Sequence, residues 1–147
     1  MTQPGLNLIA PDLVELLHGA DEAGRRRAAA VACQLALERT GLSDARVSQA
    51  RSALAAGRIG DVPERRGIQE LTQQLDEAAW DARDRVRSGA ATDDEYRRAF
   101  ARARAAAALA SAFEVDALQA ALETLYEAHF AMEDLEALKA AVTKSLR

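Results

Sequence analysis

The chain has 147 residues and a formal net charge of −4, which suits one domain and disfavours a general polyanion binder. Alanine occurs 35 times against 8 Gly and 3 Pro, and aromatics make up only 4%, so an all-β fold is excluded in favour of helices. The single cysteine, Cys33, excludes an internal disulfide and a thiolate zinc site, and no apolar run approaches the roughly 18 residues of a membrane span.

Read in chain order, the first stop and start signals give a short helix from Pro11 through Leu13, Val14, Leu16 and Leu17, ended by Gly19. A second runs from Asp21 or Glu22 to Thr40, with Gly41 as its end signal. Ala28, Val31, Ala32 and Leu35 form its stripe, widened by Cys33 and Leu37. Ser43 is placed to cap a third helix that carries Val47, Ala50, Ala53 and Leu54 and stops at Gly57. Residues 57–67 hold three glycines and Pro63, which marks them as the candidate mobile loop. A fourth helix follows with Ile68, Leu71, Leu75, Ala78, Ala79, Ala82 and Val86 at helical spacing, ending at Ser88 and Gly89.

Thr92-Asp93-Asp94-Glu95 then reads as a capping box. The helix it opens has no Gly or Pro to stop it, so a long helix is predicted, with a bend or break between Met132 and Asp134. Val115, Leu118, Leu122, Leu125, His129 and Met132 keep a heptad-like spacing on it. That seam can close inside the chain or pair with a second copy. Because few aromatics make for a thin core, a homodimer through Val115, Leu118, Leu122, Leu125 and Met132 is the favoured expectation. The expected whole is a single cytosolic all-α domain over 1–147, a bundle of five or six antiparallel helices with no sheet.

Little in the chain carries chemistry. His18 sits at a helix C-terminus, where an imidazolium suits the helix dipole. Glu127 and His129, two apart, point to different faces and lack the Glu-x-x-His spacing of a bundle metal site. Cys33 lies in an apolar helical stretch, as structural cysteines do. No phosphate-cradling loop, nucleophile elbow or dinucleotide fingerprint occurs. The expectation is a protein without catalytic residues, metal or cofactor.

Charge falls in blocks, −4 over residues 1–24, +4 over 25–104 and −4 over 105–147. Solvated helix faces are the favoured reading, and an electropositive middle that meets an acidic partner or folds against the acidic ends is the other. Trp80 is the more pointed feature, because it lies about 145° from the centre of its helix's apolar stripe. A tryptophan among Gln73, Asp76, Asp84 and Arg87 is a candidate anchor for a protein partner, with Arg83 and Arg87 steering encounter.

Two stretches look like known protein types. Residues 35–54 resemble a helix-turn-helix, with Gly41 in the turn and Leu42 and Val47 as core contacts. The resemblance implies that helix 43–56 would offer Arg46, Ser48, Gln49 and Arg51 to DNA. The acidic balance lacks a DNA binder's basic footprint, and a plain αα-hairpin looks the same. The stretch Asp44-Ala-Arg46, with Ala50, Ala53, Gly57 and Ile59, and the Ala-rich run after Arg98, are similar to Ala-rich all-helical immunity proteins of actinobacterial toxin systems. That resemblance implies neutralisation of a partner by binding and brings no catalytic residue.

Overall fold

A computed structural model describes residues 4–147, and those residues form helices and no strand. Eight helices follow one another: α1 (Pro4–Ile9), α2 (Pro11–Gly19), α3 (Glu22–Thr40), α4 (Ala45–Ala55), α5 (Pro63–Arg87), α6 (Asp93–Ser111), α7 (Ala117–Met132) and α8 (Leu135–Ser145). The five or six expected from the sequence are thus too few. The shortfall arises at α1, which opens on Pro4 but runs for only six residues, and in the predicted long C-terminal helix.

That long helix is three. Ser111 ends α6, and Asp116, in extended backbone, caps α7 by accepting from the Gln119 amide at 2.8 Å. A carboxylate at an N-cap starts a helix as firmly as Pro or Gly stops one. The second break lies where the spacing slips. Glu133 takes the left-handed conformation at φ 54°, and Asp134 accepts from Ala137 to open α8. The N-cap of α4 is likewise Asp44, one residue beyond the predicted Ser43, accepting from the Arg46 amide. At Thr92 the expected cap is present, taking the Glu95 amide.

The segment 57–67 is shorter as a break than the sequence suggests, because α5 starts at Pro63 and holds Gly67 within it. What remains is tethered. The Gly60 amide donates to the Phe113 carbonyl at 2.7 Å, and Arg65 pairs with Glu114 at 2.7 Å.

Side-chain pairings fix the directions of the helices. Asp76 pairs with Arg104 and Arg85 with Glu95, so α5 and α6 run antiparallel. Arg104 with Glu127 and Arg97 with Glu133 make α6 and α7 antiparallel as well. Arg26 reaches the Val115 carbonyl while Arg39 reaches Asp134, so α3 runs parallel to α7. The bundle is therefore not antiparallel throughout.

Alanine explains how the layers close. α6 packs on α5, α7 and α3, and between 103 and 109 its buried residues Ala103, Ala105, Ala106, Ala108 and Leu109 point all round the helix. Side chains this small let three neighbours approach one helix. Larger residues fill the junctions, with Phe113, Leu122, Leu125 and Leu138 all at most 2% exposed. Ahead of α3, Leu6, Ala10, Leu13 and Leu17 make one buried stripe across the α1–α2 joint. α1 lies so close to α7 that a β-carbon at Gly5 would overlap the Tyr126 ring. No described helix is long and apolar enough to cross a membrane.

Candidate functional site

The predicted anchor stands on the outer side of α5. Trp80 is 56% exposed, while Ala79 and Ala82 on either side of it are buried. The periodicity therefore placed it correctly, and no other helix covers it. Among the described residues, neighbouring Arg83 and Arg87 are exposed and make neither an ion pair nor a side-chain hydrogen bond. Arg85, between them, is spent locally on Asp81 at 3.3 Å. The outer face of α5 thus carries an exposed indole with two unpaired guanidiniums beside it.

The residues suggested for DNA divide into two kinds. Arg46 is committed to the fold: its guanidinium grips Asp44 through Nε and Nη2 at 3.0 and 3.1 Å and donates to Gln74 Oε1 at 3.0 Å. Its aliphatic stem lies over Gly67 of α5. That pair holds Asp44 below the usual carboxylate range, through the side-chain hydrogen bond first. Ser48, Gln49 and Arg51 are exposed on α4. Arg46 thus joins α4 to α5, and only the other three face outward.

The seam residues are also split. Leu122, Leu125 and Met132 lie in the chain's own core, Leu118 packs against it half-buried, and Val115 stands 70% exposed in the α6–α7 turn. α7 closes its stripe on α3 and α6 of the same chain. A second copy would meet Val115 there, not a seam.

Two features escaped the sequence reading. Arg104 of α6 bridges Asp76 of α5 and Glu127 of α7, both at 2.6 Å, with the three side chains 20–26% exposed. Its guanidinium also lies 5.7 Å from the Phe100 ring centre, at the edge of a cluster in which Phe130 meets Phe100, Tyr126 and His129. Burial pushes the Glu127 carboxyl above its usual range, against the pull of Arg104. Burial likewise lowers His129, whose ring packs edge-on to Phe130. Spacing along one helix does not mark the triad, since Asp76 falls among the polar neighbours of Trp80.

The second feature is a cleft of about 510 Å³ between α3 and α4. Its walls are Ala29, Ala30 and Cys33 of α3, Leu54 and Ala55 of α4, Ile59 of the connection, and Leu109 and Ala112 of α6. α4 packs on α5 and α6, so the two helices joined by Gly41 stand apart. Cys33 forms the floor, 4% exposed, with its thiol donating to the Ala108 carbonyl at 3.6 Å. Burial pushes that thiol up to about 12, although Arg51 nearby opposes it. Its surroundings are those of a packing thiol. Arg26, at the far end, gives its donors to the Ala112 and Val115 carbonyls at 3.1 and 2.8 Å.

His18 ends α2 in the open, its carbonyl taken by Arg25 at 3.0 Å. Among the described residues no three His, Cys, Asp or Glu side chains gather as metal ligands would. No family model, curated protein or solved structure matches this chain.

Proposed function

We propose that this protein works by binding another protein, through the face of α5 that carries Trp80, Arg83 and Arg87. The observation that carries the reading is the exposed Trp80 beside two unpaired arginines. Leaving a large apolar ring in water costs roughly 25 cal/mol per Å² of apolar surface that could be buried. A partner recovers that cost, and the arginines supply charge that no described residue consumes. The resemblance to immunity-type proteins fits the same mode of action, binding that neutralises, without any residue carried over from it. The ionisable groups inside the protein support binding over catalysis. Cys33 is buried with its thiol on a backbone carbonyl, and the three charges of the Arg104 triad are spent on one another in joining three helices.

A DNA partner is the competing outcome. It would draw on Ser48, Gln49 and Arg51, with Arg46 first freed from Asp44 and Gln74.

The test is affinity capture from the source organism with three baits: wild type, Trp80→Ala, and Arg46→Ala/Arg51→Ala. Expected is one specific protein lost with Trp80→Ala and kept with the double variant. Since Trp80 is the chain's single tryptophan, its emission also moves to shorter wavelength when that protein is added. Truncating such an anchor weakens binding by about 30-fold or more. Capture of a specific DNA fragment, abolished only by the double arginine change, overturns the reading.

A further inference from the structure

We propose that the cleft between α3 and α4 binds a small amphipathic monocarboxylate, its apolar body lying over Cys33 and its carboxylate on Arg51. This inference is independent of the Trp80 surface, which lies on another helix.

Three observations converge on that ligand. The first is volume. About 510 Å³ falls within the range of pockets that hold small organic molecules. The space exists because of which residues face it: α3 presents Ala29, Ala30 and Cys33 where leucines would have filled the gap. The second is the lining. Leu54, Ile59, Leu109 and Ala112 complete a wall that is apolar for most of its extent, and an empty apolar concavity gains by exchanging water for hydrocarbon. From Glu22 to Gln34 the α3 wall is about 18 Å long, at 1.5 Å per residue, so an extended alkyl chain fits along it.

The third is charge. Of the two arginines in the cleft, Arg26 is spent on backbone carbonyls of the α6–α7 turn. Arg51 has no ion pair or hydrogen bond among the described residues, although its charge is felt at Cys33 on the floor. Its guanidinium therefore stands at an apolar wall with its five donors free, the arrangement that a carboxylate completes in bidentate fashion. Gln34 lies at the same end, its amide nitrogen already given to Glu38. Glu22 lies at the opposite end, which sets the orientation: anion at Arg51, tail toward Ala112. One free cation selects a single negative charge, so a carboxylate fits better than a phosphate dianion.

Decanoate is the probe, measured by calorimetric titration into the purified full chain, with decanol and decyltrimethylammonium as chain-matched controls. Expected is saturable one-to-one binding of decanoate, weaker binding of decanol and none of the cation. Arg51→Gln should weaken decanoate by about tenfold or more, the range for losing a charged hydrogen-bond partner, and leave decanol unchanged. Ala30→Phe fills the mouth from an exposed position, where the fold tolerates it, and should abolish both. Circular dichroism confirms that each variant is folded. Trp80→Ala should bind decanoate as the wild type does. The proposal is overturned if wild type shows no saturable decanoate binding. It is equally overturned if decanoate binds and Arg51→Gln and Ala30→Phe bind it as tightly, which would mean adsorption elsewhere.

Discussion

The α5–α6 hairpin has two ends that are used in opposite ways. At one end, Ala103 to Phe113 of α6 and the turn after it are enclosed by α3, α5 and α7. At the other, from Trp80 to Arg98, Ala82 is the only fully buried residue. Alanine makes up seven of the eleven residues of the first stretch, whereas the second holds five arginines, five acids and three alanines. The neighbours differ too: α3, α5 and α7 all pack on the first stretch, whereas the outer side of α5 in the second is covered by no other helix. A helix whose composition suits burial on every side is buried only where partners exist. The uncovered side of α5 is free to carry a surface feature such as Trp80 at no cost to the core.

The contrast breaks most sharply at Phe113. Truncating this fully buried ring in Phe113→Ala should cost about 3–5 kcal/mol, read as a lower midpoint in denaturant unfolding at unchanged slope.

Next comes the triad that ties the two ends to α7. Arg104→Met leaves Asp76 and Glu127 facing each other unpaired and should cost about 1–3 kcal/mol. The pH dependence has a definite sign. Burial already favours the protonated Glu127 carboxyl in the folded state, so its ionisation opposes folding. In Arg104→Met nothing offsets this, and stability should fall more steeply than in wild type as pH rises through the carboxylate range. Thermal unfolding between acid and neutral pH checks it, and parallel curves for the two proteins would refute it.

A smaller gain is expected at the α7–α8 corner. Glu133 holds φ 54° with a β-carbon, a conformation glycine adopts freely. Glu133→Gly should stabilise by about 0.5–1 kcal/mol, less the little that its exposed pair with Arg97 contributes. Least of all, Trp80→Ala should change stability by no more than about 0.5 kcal/mol, measured in the same unfolding assay. A larger loss would mean that the exposed end is not the passive surface described.

The helices were legible wherever a local signal marked them. Gly41 ends α3, Pro11 starts α2, and the Met132–Asp134 slip divides α7 from α8, as their sequences suggest. The gap between α6 and α7 was hidden because Ala112 continues an alanine run and the stop depends on Asp116 alone. Trp80 could be placed because one helix's periodicity is enough to place it. The cleft and the triad could not, since each takes residues from three helices and depends on how far α4 leans from α3. Nor could the seam be assigned to one partner. Its apolar spacing is the same whether α3 of the same chain or another copy fills it.

The position of α3 in the bundle has a consequence for how the molecule comes into being. α3 buries its stripe against α6, α7 and α8, all of which begin at Asp93 or later. A nascent chain therefore carries an apolar helix that must wait for more than fifty further residues before it has a lasting neighbour, whereas α5, α6 and α7 can zip together as they emerge. Closing that long loop costs entropy that no early contact repays. The rate at which the native state appears should thus be set by the capture of α3, and a chain interrupted before Asp93 would expose that stripe to any other incomplete copy.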